Sequence, residues 1–476
     1  MGLRVYDNLT RERRDYRPVQ GDRVGMYFCG MTVQDKPHVG HMRAALVGDL
    51  LRRYLLRRGY RVTFVNNFTD VDDKIIDRAR EESIDYQKIA QRNIDCYLTF
   101  VEKMGIMPAD IYPKATEHIP EILDLIGTLV QKECAYASGG DVYFRVERCP
   151  GYGKLSGRKI DELRSGARIE VGEHKESPLD FTLWKGAREG EPSWPSLWGP
   201  GRPGWHIECS AMSMKYLGRH FDFHGGGLDL IFPHHENEIA QSECATGEPF
   251  AEYWVQNGLV LLGGEKMSKS TKHFFLIEDV CERVDPRVVR FYLLSTHFRS
   301  PIEFNEERLA EADQALSRLT GALDAAGEAL GPFDPASVGQ PIRPEAAGSD
   351  EARTAIRLFE ESMDDDFNSA KALGHLFDLV RAMNRWVAAG ESPATREALE
   401  GGRRVLVDLT GVLGIDLLAR PEVCEVPATV REMIVKRTEA RSNRNWAEAD
   451  RLRQEILAAG YVVEDKEGRT NVRFNR

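Results

Sequence analysis

Two short segments of this chain carry side chains suited to handling phosphate. His38-Val39-Gly40-His41 sets two imidazoles three positions apart around a glycine. Between a strand and a helix, such a segment offers an anion backbone N–H groups and the helix dipole, and Gly40 allows a nucleotide to approach closely. Lys266-Met267-Ser268-Lys269-Ser270 follows Gly263-Gly264 and presents two ammonium groups on a flexible loop. Those charges suit a triphosphate whose negative charge grows in the transition state. Each segment alone has a plainer reading, as a structural histidine pair or as solubilising surface lysines. In this order, bracketing an α/β region, they predict nucleotide chemistry.

A second group of residues predicts a metal. His234 and Glu238 are spaced i, i+4 in PHHENEIAQ, so on a helix both leave one face and can share an ion. Cys29, at the end of a predicted strand, and Cys209, in WHIECSAM, could add two thiolates to a tetrahedral zinc centre, although each alone reads more readily as a buried apolar residue. Spacing leaves the set open, because His206, His224, His235, Glu236 and Cys244 lie in the same stretches.

The elements that must position these residues follow from patterning. GMYFCGMTV reads as a buried strand, HMRAALVGDLLRRYLLRRG as an amphipathic helix and YRVTFVNNF as a second strand. That succession predicts a right-handed crossover in a parallel sheet, with ligands beyond the carboxyl ends of the strands. Helical patterns and the strand-like DVYFRV precede an irregular stretch over 147–204, rich in Gly, Pro and Trp, which reads as part of an insertion. HFDFHGGG and YWVQNGLVLL resume the sheet. From about residue 305 the pattern is helical, interrupted at 331–349 by a stretch with linker composition. The predicted architecture is therefore α/β. A Rossmann-like parallel-sheet domain (1–115 and 201–256) is split by an insertion (116–200). It is followed by a lysine-motif region (257–312), a helical bundle (313–426) and a small C-terminal α+β domain (427–476).

With 476 residues, 42% hydrophobic and 29% charged, the chain has the composition of a soluble multidomain protein. It has no apolar run long enough for a membrane span and no signal-like N-terminus. Eight scattered cysteines form no disulfide framework, so a cytoplasmic location is expected. The net charge of −11 excludes wholesale nucleic-acid coating. The segment from Ala428 onward nevertheless carries 11 Lys or Arg against 8 Asp or Glu, so a basic surface can lie there.

HVGH and KMSKS together resemble the two signature motifs of class I aminoacyl-tRNA synthetases. MYFCGMTVQDKPHVGH, VNNFTDVDDKII, WHIECSAM, HFDFHGGGLDLIFPHHENEIAQSEC and MDDDFNSAKAL narrow the resemblance to the cysteinyl-tRNA synthetase family, over nearly the whole chain. The resemblance implies ATP-dependent activation of L-cysteine and its transfer to tRNA(Cys) by a monomer. It implies that His38, Gly40, His41, Lys266 and Lys269 handle ATP, and that Cys29, Cys209, His234 and Glu238 hold zinc. Gly30, Thr69, Trp205, His224 and Asp229 would form the cysteine pocket, and an anticodon-binding tail would include Trp446 as a contact to tRNA. Zinc has a physical rationale: cysteine and serine are nearly isosteric, but only a thiol readily becomes a soft anionic ligand.

Two positions depart from the family pattern. Gln34 stands where Tyr is usual, and Thr271-Lys272-His273 replaces Leu-Gly-Asn after KMSKS. Two other readings share some features: a ligase joining cysteine to an amino sugar in mycothiol synthesis, and a non-catalytic tRNA-binding paralogue. The basic tail and Glu238 argue against the first, and intact His38, His41, Lys266 and Lys269 against the second.

Overall fold

The computed structural model describes residues 2–160, 174–266, 275–338, 341–419, 428–459, 461–466 and 469–474. A hairpin of β1 (Arg4–Asp7) and β2 (Glu12–Asp15) leads into β3 (Arg23–Phe28), α1 (Val39–Arg57) and β4 (Arg61–Asn66). Leu46, Leu50 and Tyr54 recur at helical spacing and bury one face of α1, while β3 and β4 pair in parallel. The helix begins two residues before the predicted start because His38 caps it.

Next come α2 (Asp73–Glu82) and α3 (Tyr86–Lys103), capped by the side chains of Asp72 and Asp85. α4 (Ile119–Gln131) then leads into an inserted antiparallel sheet of β5 (Ala135–Ser138), β6 (Asp141–Phe144), β7 (Phe181–Gly186) and β8 (Gly201–Pro203). The stretch that looks irregular in sequence thus supplies two strands. Its glycines conceal them: Gly201 lies against buried Trp184, where a Cβ would fall 2.3 Å from the indole nitrogen.

α5 (Trp205–Leu217), β9 (Phe221–Gly227), α6 (Glu236–Thr246) and β10 (Ala251–Asn257) return the chain to the parallel sheet, whose order is β10-β9-β3-β4. The chain leaves β3 towards β4 on one side and later pairs β9 on the other. The carboxyl ends of β3 and β9 therefore flank the crevice in which such sheets bind ligands.

β11 (Val260–Leu262) and β12 (Glu265–Lys266) form a hairpin, followed by α7 (Ile277–Cys281), α8 (Pro286–Leu294) and β13 (Ile302–Glu303), which pairs β11 in parallel. Helices α9 (Glu306–Leu330), α10 (Asp350–Met363), α11 (Ser369–Ala388) and α12 (Pro393–Val412) pack into a bundle around Leu319, Ile356, Phe359, Leu376 and Leu409. The expected linker before α10 is instead pinned to α12. Ile342 and Ala347 are buried, and the Ile342 N–H donates to the Asp408 carboxylate at 3.1 Å. The C-terminal end of α1 grips the same bundle. Arg57 meets Glu360 at 3.1 Å and Asp408 at 2.9 Å, and the Tyr54 hydroxyl donates to Asp364 at 2.7 Å. Last, α13 (Ala428–Ser442), α14 (Trp446–Ala458) and a hairpin of β14 (Tyr461–Lys466) and β15 (Arg469–Phe474) make a small α+β unit. No described helix is long and apolar enough to cross a membrane.

Candidate active site and metal centre

At the start of α1 the two imidazoles are fixed by their own neighbours. His38 Nδ1 accepts the Gly40 N–H at 3.1 Å, and His41 Nδ1 accepts the His38 N–H at 3.2 Å. The rings stack with centroids 3.7 Å apart. An Nδ1 that accepts leaves the proton on Nε2, so each neutral ring presents an Nε2–H donor at a helix N-terminus. Both rings line a cavity of about 400 Å³ at the carboxyl ends of β3 and β9, together with Gly30, Gln34 and Asp229.

Gly30 has no room for a side chain, since a Cβ there would lie 1.6 Å from the Asn67 carbonyl oxygen. Its N–H donates to the Asn67 side-chain oxygen at 2.9 Å, so Asn67 fixes the bend that turns the chain out of β3. The lysine motif adjoins the same cavity through its flanks. Lys266 ends β12, whose partner strand begins at cavity-lining Val260. Beyond the motif, Phe275 O accepts the Val39 N–H at 3.1 Å, and the Ile277 N–H donates to Pro37 O at 3.1 Å. Lys269 and Thr271-Lys272-His273 lie outside the described residues, as does the side chain of Lys266.

Behind the cavity, ligand-type atoms converge. One atom each from Cys29, Cys209, His234 and Glu238 lies within 4.8 Å of the others, and so does the overlapping set of Cys29, His224, His235 and Glu238. All six residues are buried. Cys29 arrives from the end of β3, held by its N–H to Gly225 O at 3.0 Å, and Cys209 comes from α5. Glu238 leaves the first turns of α6, while His234 sits just before that helix begins, in a turn in which Phe232 is not helical. The i, i+4 pair still meets, with His234 Nε2 3.1 Å from Glu238 Oε1.

Glu238 decides between the sets. Its Oε1 faces Cys29 Sγ at 3.3 Å and His234, while Oε2 is 2.9 Å from His224 Nε2. Trp205, which lines the cavity, packs on His234 with centroids 4.3 Å apart. His224 stacks instead on buried Trp254, farther inside. The Cys29, Cys209, His234, Glu238 set therefore adjoins the cavity through Cys29 and through His234 behind Trp205, and His224 contacts its carboxylate from the far side. His206 orients its imidazole, with Nδ1 2.9 Å from His234 Nδ1.

The electrostatics of the cluster fit a cation. Burial pushes both thiols up, raises Glu238 to about 7 and drives His234 well below its ordinary value. A site that penalises every charged form of its own side chains favours ligand ionisation only with a cation among them. Two thiols, an imidazole and a carboxylate, with an outer imidazole on each of the last two, are donors of the kind that suit a zinc ion.

Among the other expected pocket residues, Trp205 and Asp229 line the cavity, whereas Thr69 and His224 stand behind its wall. The Thr69 hydroxyl donates to Glu208 at 2.9 Å, and that carboxylate's other oxygen is buried without a hydrogen-bond partner. The sequence reading did not single out Asn67, Glu208 or the role of His206; Glu208 and His206 sit in WHIEC beside Cys209, where only the fold reveals their partners. Trp446, the expected contact to tRNA, is 58% exposed at the start of α14, with the Arg441 guanidinium 5.9 Å from its ring centroid.

Comparisons with known proteins identify the domains and the family. Residues 15–314 match the tRNA synthetases class I (C) catalytic domain, 358–418 the DALR domain and 424–473 the cysteinyl-tRNA ligase anticodon binding domain. The cysteine–tRNA ligase of Geobacter metallireducens is 48% identical over 98% of both chains, and that of Desulfitobacterium hafniense is also 48% identical over 98% of both. Among solved structures, Mycobacterium tuberculosis methionyl-tRNA synthetase in complex with methionyl-adenylate aligns with a TM-score of 0.59, covering 90% of this chain and 96% of that one. At 16% identity this likeness speaks for the fold alone. The match to an anticodon-binding domain favours the tRNA ligase over the amino-sugar ligase, and the chain belongs to the cysteinyl-tRNA synthetases, a family of class I aminoacyl-tRNA ligases.

Proposed function

We propose that the chain activates L-cysteine with ATP, forming cysteinyl-adenylate and pyrophosphate, and then transfers cysteine to the 3′ end of tRNA(Cys). One observation carries the reading: the Cys29, Cys209, His234, Glu238 cluster and the His38–His41 pair adjoin a single cavity at the carboxyl ends of β3 and β9. The first suits a thiol and the second suits phosphate.

In this reading Nε2–H of His38 and of His41 donate to the triphosphate, and the α1 dipole adds to their pull. Lys266 and Lys269 neutralise the departing pyrophosphate, whose magnesium arrives with ATP. Asp229 pairs with the substrate ammonium, and Gly30 lets the amino acid lie against backbone. When bound, zinc supplies a Lewis acid that holds the substrate sulfur as thiolate, a form closed to serine at neutral pH. Trp205, packed on His234, shields that face from water. Positioning and charge do the work, so no protein nucleophile is required. Trp446 and the basic surface around it contact tRNA, and the enzyme acts as a cytoplasmic monomer. The segmentation at 1–115, 116–200, 201–256, 257–312, 313–426 and 427–476 assigns chemistry to the split first domain and RNA reading to the last.

Cysteine-dependent ATP–pyrophosphate exchange by zinc-loaded, reduced enzyme, followed by charging of tRNA(Cys), tests this reading. Absence of exchange overturns it. Exchange without charging would point to an acceptor other than tRNA.

A further inference from the structure

Arg43 follows His41 by two positions on α1 and is 1% exposed. Its guanidinium crosses the cavity wall to two other stretches of backbone. Nη1 donates to Leu259 O at 2.9 Å, and Nη2 donates to Ser300 O at 2.5 Å and Phe298 O at 3.3 Å. The same carbonyls are shared: Phe298 O also takes the Gly258 N–H at 2.8 Å, and Leu259 O the Ile302 N–H at 3.0 Å. Leu259 and Val260 line the cavity on one side of this clip, and His41 and Ala44 line it on the other. Arg43 thus fastens the root of the β11–β12 hairpin, which runs directly into Lys266.

The guanidinium differs in kind from its buried neighbour. Arg290 is equally buried, and its charge meets the Asp49 carboxylate. Among the described residues, all three hydrogen-bond partners of Arg43 are neutral carbonyls and no carboxylate forms an ion pair with it. Burial pushes Arg43 down to about 10, which still leaves it cationic at neutral pH. A buried cation without a counter-charge is costly to a fold. In a wall that excludes water its field reaches the adjoining cavity with little screening, and a polyanion there would supply the missing charge.

We propose that Arg43 is a positioning residue for the nucleotide: it holds the 258–260 wall in place and keeps an uncancelled positive charge behind the triphosphate subsite. The proposal rests on the reading of the cavity as an ATP site. Arg43 acts through the Leu259 backbone and through space, not by touching substrate.

Calorimetric binding of adenosine, AMP and ATP to the zinc-loaded enzyme separates charge from packing. R43Q is expected to lose about tenfold or more in ATP affinity, less for AMP, and under about twofold for adenosine. R43K keeps the charge and is expected to recover most of the ATP loss. In exchange assays of R43Q, the KM for ATP rises while that for cysteine stays within about twofold. Equal losses for adenosine and ATP, or equal impairment of R43K and R43Q, would reduce Arg43 to packing and overturn the proposal. Should R43Q fail to fold, R43K decides alone: retained preference for ATP over adenosine sustains the proposal, and a uniform loss overturns it. Nucleotide binding needs neither cysteine nor tRNA, so failure of cysteine-dependent exchange in the native chain would remove the proposed reaction without touching this result.

Discussion

The phosphate end and the thiol end of the cavity are built by opposite means. His38 and His41 are held by N–H groups within four consecutive residues, so the first turn of α1 is a nearly self-contained device. Cys29, Cys209, His234 and Glu238 come from β3, α5 and the entry to α6, and only the β3–β9 register, with Phe28 opposite Gly225, brings them together. Local geometry fixes the two rings relative to each other. The thiol end depends on many long-range contacts, all of them buried, and gains from that burial the low-dielectric surroundings in which a cation can order its ligands.

If the two ends are separable, damage to one should spare the other. Cys209→Ser gives the largest expected effect. Bound zinc is lost by metal analysis and cysteine-dependent exchange drops about a thousandfold or more, while ATP affinity stays within about twofold; a parallel loss of ATP affinity would break the comparison. Lys269→Ala should act in the converse sense, slowing single-turnover adenylation about a hundredfold through loss of ~3 kcal/mol of transition-state stabilisation, with zinc content intact. An unchanged rate would remove Lys269 from the chemistry. His206→Leu sharpens the picture of the thiol end: loss of the 2.9 Å contact to His234 should weaken zinc affinity by about tenfold to a hundredfold in chelator competition. If affinity is unchanged, His206 does not orient the ligand. Trp446→Ala lies outside both ends and should lower charging of tRNA about fivefold to tenfold through one lost stacking contact, leaving pyrophosphate exchange untouched.

The same contrast explains what could be read from the sequence. HVGH stands out beside KMSKS because its geometry is local, and the strand–helix–strand succession around it follows from apolar periodicity alone. His234 and Glu238 are visible as a pair because four positions make one helical turn. Cys29 and Cys209 are not, since nothing short of the sheet register relates a strand end to a helix far along the chain. Two failures are compositional. Gly201 and its neighbours read as irregular because a strand pressed against Trp184 must dispense with side chains, and 331–349 reads as a linker although Ile342 is buried and tied to Asp408. Thr69 and His224 show a third limit: only the family resemblance puts them in the cysteine pocket, and their side chains engage buried Glu208 and Glu238.

α1 also has a mechanical meaning. Its N-terminal turn carries His38 and His41, and its last turn is clamped to the helical bundle by Arg57 on Glu360 and Asp408. A helix of 19 residues is a stiff strut of about 28 Å at 1.5 Å per residue. A tilt of ~5° at the clamped end would sweep the imidazoles by ~2 Å, enough to make or break a hydrogen bond to a ligand in the cavity. The strut therefore works as a pointer whose tip carries the two imidazoles and whose pivot is the bundle. Whatever fixes the attitude of the bundle also sets the aim of the two imidazoles.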